Sequence, residues 1–187
     1  MRAEIPRIAI LVDSSTSWGR RTIRGILDYT QQHGPWDIWI DPKGQNETFS
    51  LPNHEQFDGV IARIATQELQ AALRSSKLPV VNVSGIQFGK SRFPRVCIDQ
   101  EKNAALALDH FKSRSLRHFA YVGPRHLDYV KQHEYAFEYA VSNSGMTCNV
   151  YENKTTERND YFWHPSQERL IHWLESLPKP IGIYTWG

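Results

Sequence analysis

Several side chains that could bind a polyhydroxylated ligand stand at or just after the ends of apolar runs in the sequence. Asp13 and Ser14 follow the run RIAILV, Trp18 and Arg20 stand in the next few positions, and Arg63 interrupts the run GVIARI. Carboxylates accept hydrogen bonds from sugar hydroxyls, guanidinium groups donate them, and an indole offers a flat apolar face. In this arrangement the residue types suggest a sugar-binding site without specifying one.

Each of these residues also has a simpler structural explanation. Asp13, and Asp99 after a later apolar run, could cap the helices that follow them. Trp18 could pack as a hydrophobic staple on the first helix, and Arg20 could lie on a solvated helix face. Arg63 is harder to explain in this way, because an uncompensated charge inside an apolar run is costly.

Sequence patterns typical of enzymes and metalloproteins are missing. There is no G-x-S-x-G elbow, no Walker loop and no G-x-G-x-x-G after the first apolar run. The loop SSTSWGR holds a single glycine, which argues against a dinucleotide cofactor. Cys97 and Cys148 lack the spacing of zinc ligands, so we interpret them as reduced thiols. We therefore expect no catalytic residue, no metal and no cofactor.

The composition is that of an ordinary globular protein. Of the 187 residues, 40% are hydrophobic and 22% are charged, and the formal net charge is +2. The cluster of Arg20, Arg21 and Arg24 is too small to support phosphate binding alone, so we do not expect this chain to bind DNA by itself. With no signal peptide and no run long enough to span a bilayer, we expect a cytoplasmic protein without membrane contact.

The hydrophobic pattern predicts strands that alternate with helices, which specifies an α/β fold with doubly wound parallel sheets. The predicted strands are Arg7–Asp13, Trp36–Asp41, Gly59–Ile64, Pro79–Ser84, Arg95–Ile98, His118–Val122, Thr147–Tyr151 and Ile181–Trp186. The predicted helices are Arg20–His33, Thr66–Ser76 with Thr66 as its cap, Asn103–Ser113, Leu127–Asn143 and Pro165–Ser176. Because the chain stops after a strand, we expect a fold that is truncated in its second part.

Seven segments in order resemble the ligand-binding domain of xylose-operon regulators, which are AraC-type transcription regulators. They are RIAILVDSSTSWGRRTIRGILDY with HGPWDIWIDP, GVIARI, PVVNVSG, RVCIDQEKNAALALDHFKSRSLRHFAYVGP, HEYAFEYAV and LPKPIGIYTWG. The resemblance implies a two-lobed sensor of the periplasmic-binding-protein type I, or lactose-repressor-like, fold. It implies an N-terminal lobe over residues 7–122, a partial C-terminal lobe over 123–187, and a sugar between the lobes.

The resemblance also carries over site residues and partners. Trp18 and Arg20 match an aromatic and a basic residue beside the family's ligand, and Asp13 and Asp99 match polar positions at strand ends. His133 stands where the wider family often has an arginine, four residues before an aromatic. The family further implies a sugar effector such as xylose, a homodimer, and DNA binding only through a C-terminal helix-turn-helix domain not in this chain.

Two other classes of function fit the same pattern. A transport-type sugar-binding protein would share the fold, but the missing signal peptide argues against it. A sugar-processing α/β enzyme would need a base with a partner or a phosphate loop, and neither is evident. The leading hypothesis is the effector domain of a sugar-responsive transcription regulator.

Overall fold

A computed structural model of the chain describes residues 5–44, 48–51, 54–90, 93–124, 128–152 and 163–186. Over these residues, strands and helices alternate as the sequence predicts. The strands are β1 (Arg7–Leu11), β2 (Asp37–Ile40), β3 (Gly59–Ala62), β4 (Val80–Asn82), β5 (His118–Val122), β6 (Cys148–Val150) and β7 (Ile181–Thr185). The helices are α1 (Ser17–His33), α2 (Gln67–Ser76), α3 (Gln100–Ser113), α4 (Asp128–Asn143) and α5 (Trp163–Ser176), and a 3-10 turn covers His54–Gln56.

The first compact unit, Met1–Cys97, is built on a parallel sheet with the strand order β2-β1-β3-β4. Ile10 of the central β1 lies opposite Ile40 of β2 and Ile61 of β3. Ala9 and Leu11 of β1 pack in one core with Leu69 and Leu73 of α2, and Ala9 to Val12 are fully buried. The core of this unit is formed by Ala9, Leu11, Phe49, Phe57, Val60, Ala62, Ile64, Leu69, Leu73 and Val80.

The second compact unit, Ile98–Gly187, is built on a parallel sheet with the order β6-β5-β7. His118 at the start of β5 lies opposite Ile181 of β7, and Phe119 lies opposite Cys148 of β6. Helices α3 and α4 pack against each other beside this sheet. The core residues are Ala104, Leu108, Phe119, Tyr121, Val130, Phe137 and Val141.

The chain divides earlier than the sequence predicted. The resemblance implied a boundary after Val122, but β5 pairs with β6 and β7, and α3 packs on α4. Both elements therefore belong to the second unit, which begins at Ile98. The fifth strand predicted over Arg95–Ile98 is reduced to one bridge, between Arg95 and Asn82.

Helix ends follow the local signals in the sequence. Thr66 caps α2 and Asp99 caps α3, each accepting a hydrogen bond from the backbone N–H three residues later. Gly34 ends α1 with φ of 124°, and Gly145, just after α4, has φ of 75°. These positive φ values suit glycine because it lacks a Cβ atom. None of the helices in the described residues is both long and apolar enough to span a bilayer.

Candidate functional site

The loop between β1 and α1 is organised by a chain of hydrogen bonds that ends on a buried carboxylate. The Gly19 N–H donates to Thr16 Oγ1 at 3.0 Å, and the Thr16 hydroxyl donates to Asp13 Oδ1 at 2.6 Å. The Thr16 backbone N–H donates to the same Asp13 oxygen at 3.1 Å. Asp13 is 1% exposed, so these bonds replace water for one of its oxygens. Thr16, rather than Asp13, is the capping residue of α1.

Gly19 allows the first turn of α1 to lie directly against β1. A Cβ atom at this position would fall 1.7 Å from the backbone oxygen of Asp13. No side chain other than hydrogen fits there without movement of the backbone. Gly19, the single glycine of the segment SSTSWGR, is therefore needed for the close packing of α1 on β1. A lone glycine in the sequence does not reveal this role.

Two further contacts fix the loop from outside. The Arg20 guanidinium donates from Nη1 to the backbone oxygens of Ser14 and Ser15, at 3.1 and 2.6 Å. The Ser14 N–H donates to the backbone oxygen of Lys43, in the turn after β2, at 3.1 Å. In that turn the Lys43 ammonium lies 3.4 Å from Asp41, an 8% exposed acid that the sequence analysis did not single out. Two adjacent strand ends are thus tied together.

Trp18 and Arg63 meet although Trp18 lies in the first turn of α1 and Arg63 follows β3. The Arg63 guanidinium carbon lies 6.0 Å from the centre of the Trp18 ring, which is a cation–π contact at the outer limit of its range. Trp18 is 36% exposed, and Arg63 is half-buried just after β3. A flat indole and a guanidinium therefore lie side by side at the edge where the parallel strands end. Ligands bind at this edge in open parallel sheets.

The same edge contains an amide that sequence reasoning missed. Asn82, which ends β4, is 4% exposed, and its Oδ1 accepts from the backbone N–H groups of Ile64 and Ser84, at 3.3 and 2.9 Å. Ser84 in turn accepts from the Ile86 N–H at 3.0 Å. These bonds fix the loops after β3 and β4. The sequence does indicate this residue, because Asn82 is a polar residue inside the apolar run PVVNVS.

Asp99 belongs to the second unit, where it caps α3. Its Oδ1 accepts from the Lys102 N–H at 3.1 Å, and its Oδ2 lies 3.5 Å from the Lys102 ammonium. The backbone hydrogen bond from Lys102 is the main cause that lowers the pKa of Asp99 below its ordinary value. The capping role considered from the sequence is confirmed, and the role of Asp99 as a sugar contact stays a prediction.

His133 also belongs to the second unit, in an aromatic cluster at the carboxyl end of the sheet. Its Nδ1 is 3.0 Å from the Tyr121 hydroxyl, and its ring stacks on Tyr184 with the centres 4.5 Å apart. Trp186 meets the same ring edge-on at 5.1 Å. Asn103 Nδ2 donates to the Tyr184 hydroxyl at 2.8 Å, which joins α3 to the cluster.

Burial sets the protonation of this cluster. His133 is 6% exposed, and its burial lowers the pKa of the imidazole, so the neutral ring is favoured. Burial likewise raises the pKa of the Tyr121 and Tyr184 hydroxyls, which stay protonated. The neutral His133 ring already forms a hydrogen bond with Tyr121, which gives it a structural role. Its predicted contact with a sugar stays a prediction.

Of the seven residues predicted as ligand contacts, the structure brings five to one edge of the first sheet. These are Asp13, Ser14, Trp18, Arg20 and Arg63. The other two, Asp99 and His133, lie in the second unit. Within the residues that the structure describes, no group of three His, Cys, Asp or Glu side chains is placed to hold a metal ion.

Comparison with known proteins gives a consistent family. A family model described as the XylR N-terminal domain matches residues 7–103. The xylose operon regulatory protein of Escherichia coli strain K12 is 28% identical over 184 residues, which cover 95% of this chain and 46% of that protein. The chain thus spans about half the length of the curated relatives it matches.

Solved structures agree with this comparison. A structure described as the xylose-binding transcription activator xylR superposes with a TM-score of 0.79 at 26% identity, covering 99% of this chain and 47% of the other. A LacI family transcriptional regulator from Enterococcus faecium, solved with bound ribose, has a TM-score of 0.65 at 17% identity, covering 97% and 67%. At that identity the likeness shows the fold alone, and it confirms the predicted α/β, lactose-repressor-like fold.

Proposed function

Because the chain belongs to the family of XylR N-terminal domains, we propose that it is the effector-sensing part of a transcription regulator, with D-xylose or a related pentose as the effector. The solved relative at 26% identity is described as xylose-binding, which favours this sugar over others. The observation that carries the proposal is the pairing of Trp18 with Arg63 where the strands of the first sheet end. An indole face and a guanidinium are suited to the CH and OH sides of a sugar.

The residues at this edge divide into two roles. Trp18 and Arg63 present surfaces to a ligand, whereas Thr16 and Arg20 hold the loop between β1 and α1, next to Trp18. The Ser14 side chain is half-buried, and its backbone is held by Lys43. Sugar hydroxyls would bond to Ser14, Arg63 and the second oxygen of the Asp13 carboxylate. Asp99 and His133 remain proposed contacts from the second unit.

The test is a thermal-unfolding panel of the chain with D-xylose, L-arabinose, D-ribose and D-glucose. A sugar that binds only the folded state stabilises it by about 2.7 kcal/mol at a concentration of about 100 Kd. We expect the midpoint to rise most with D-xylose. Trp18→Ala and Arg63→Ala should each remove most of that rise, because they delete the stacking face and the guanidinium.

Arg74→Ala is the matched control for Arg63→Ala. Arg74 is exposed in the last turn of α2, which follows β3 and therefore runs away from the edge where the strands end. It should leave the sugar response unchanged. A D-xylose response that survives both Trp18→Ala and Arg63→Ala would contradict the proposed site. A complete regulator that responds to none of the four sugars would contradict the proposed ligand class.

For the complete protein we propose a homodimer that works in the cytoplasm and binds DNA through a helix-turn-helix domain outside this chain. The curated relatives are named as regulators of the xylose operon, and they are about twice as long as this chain. We also propose that the chain has no enzymatic activity. D-xylose incubated with it should be recovered unchanged by NMR, and D-xylose should alter the binding of the complete protein to operator DNA.

A further inference from the structure

A groove of about 1040 Å³ lies on the second unit, between the start of α3, the outer face of α4 and strand β6. Tyr135 and Tyr139 line it from α4, where a spacing of four residues places them on the same helix face. Their side chains are 58% and 66% exposed. Two large aromatic rings so exposed on neighbouring turns form an apolar patch of the kind found at binding surfaces.

The groove is also acidic. Asp99 and Glu101 line it from the first turn of α3, and Glu138 lines it from α4, between the two tyrosines. Among the described residues of its lining, none is lysine or arginine. Lys102 lies 3.5 Å from Asp99, but the two side chains are 84% and 54% exposed, so water and salt weaken this pair.

The titration of Cys148, which lines the groove from β6, agrees with a negative local field. Burial is the main cause that raises the pKa of this thiol to about 12, and the carboxylates of Glu138 and Glu134 raise it further. The thiol is thus protonated at neutral pH and offers a polarisable surface rather than a nucleophile. The lining as a whole combines carboxylates, tyrosine rings and neutral sulfur.

We propose that this groove binds an arginine-bearing segment of a partner protein. A guanidinium can stack on a tyrosine face while its N–H groups donate to a carboxylate, and the groove places both kinds of group together. Tyrosine and arginine are also enriched where proteins meet. The groove is open and larger than a monosaccharide needs, which favours an extended polypeptide over a free sugar.

The experiment uses the whole chain and a short fluorescein-labelled peptide of alternating glycine and arginine. A matched peptide with citrulline in place of arginine keeps the shape and removes the charge. Fluorescence anisotropy should show binding of the arginine peptide, weakened by added salt. The double variant Tyr135→Ser/Tyr139→Ser should raise Kd roughly tenfold, and Glu101→Gln roughly twofold, by loss of cation–π and ion-pair contacts.

Tyr29→Ser is the control variant, because Tyr29 is 49% exposed and adjoins Asp28 in the first unit. It should leave Kd unchanged, and circular dichroism should show that all variants fold. Equal binding of the citrulline peptide, or an equal loss with Tyr29→Ser, would overturn the proposal. Self-association of the chain that the tyrosine variants abolish would instead identify a second copy as the occupant, and would equally overturn it.

Discussion

Replacing Thr16 by valine removes one oxygen atom while it keeps the branched shape of the side chain. That oxygen is engaged twice, as the acceptor for the Gly19 N–H and as the donor to the buried Asp13 carboxylate. Thr66 is the natural comparison because its oxygen also accepts from a backbone N–H, that of Leu69, at 3.1 Å. Both threonines are half-buried caps in the first unit, but only Thr16 bonds to an acid in addition.

The expected losses follow from these contacts. Deleting a capping hydroxyl costs about 1 kcal/mol of folding free energy, which is the full effect expected for Thr66→Val. Thr16→Val loses a cap and also a hydrogen bond to a charged group, which contributes about 1.5–3 kcal/mol. The Thr16 N–H still donates to the same Asp13 oxygen, so we expect the lower part of that range. The total for Thr16→Val is then about 3 kcal/mol.

The assay is equilibrium unfolding in urea at neutral pH, followed by circular dichroism. Both variants report on the same unit, so their midpoints are compared on one transition with a common slope. With a slope of about 2 kcal/mol per molar urea, the midpoint should fall by about 1.5 M for Thr16→Val and about 0.5 M for Thr66→Val. Equal losses in the two variants would refute the argument that Thr16 supports the buried carboxylate.

Three further predictions concern single residues. Gly19→Ala would place a methyl carbon 1.7 Å from a backbone oxygen, and a urea titration should show a loss of about 3 kcal/mol or more in the free energy of unfolding. Its control is Gly25→Ala, which has open space around it and should raise the free energy of unfolding by about 1 kcal/mol. The pKa of His133 is lowered in the folded chain, so as the pH falls the unfolded chain takes up the proton first. The contribution of neutral His133 to the free energy of unfolding should be fully present above about pH 6.5 and should decrease by up to about 1.4 kcal/mol per pH unit below it. Thermal unfolding of His133→Gln should lack this pH dependence. Mass spectrometry after brief thiol labelling near neutral pH should find exposed Cys97 modified and half-buried Cys148 protected until urea is added, because the raised pKa of Cys148 keeps its thiol protonated. Equal labelling of the two cysteines would contradict that raised pKa.

Much of the fold could be predicted because its signals are local. The bounds of β5 were predicted without error, because an apolar run of a few consecutive residues defines the strand. The caps Thr66 and Asp99 were placed correctly, because a capping residue stands directly before the helix that it caps. Sheet membership was not predictable in this way. Alternation of strands and helices shows that crossovers occur, but β5 joins the second sheet through pairing with β7, more than fifty residues later in the chain.

Part of the candidate site could also be predicted from the sequence. Residues after parallel strands collect at one edge by topology, so Trp18 and Arg63 could be placed near each other before any coordinates. Their contact depends on helix α1 starting at Ser17, three residues earlier than the apolar pattern indicated. That early start depends on Gly19 and Thr16, whose importance comes from three-dimensional closeness to Asp13 rather than from any sequence period.

The residue types alone did not reveal which polar atoms the fold already uses. Asp13 was chosen as a ligand contact for its carboxylate, yet one of its oxygens is engaged by Thr16, and Arg20 is engaged by loop carbonyls. An atom held in this way would contribute to sugar binding mainly by keeping the loop in place, because a ligand would have to displace existing bonds to reach it, whereas the second oxygen of Asp13 stays a proposed contact. Trp18 and Arg63 contact each other through a weak interaction at 6.0 Å, which a sugar can replace at little cost. Substitutions of Trp18 and Arg63 should therefore lower the affinity for the sugar with little change in the free energy of unfolding. Substitutions of Thr16 should mainly lower the free energy of unfolding.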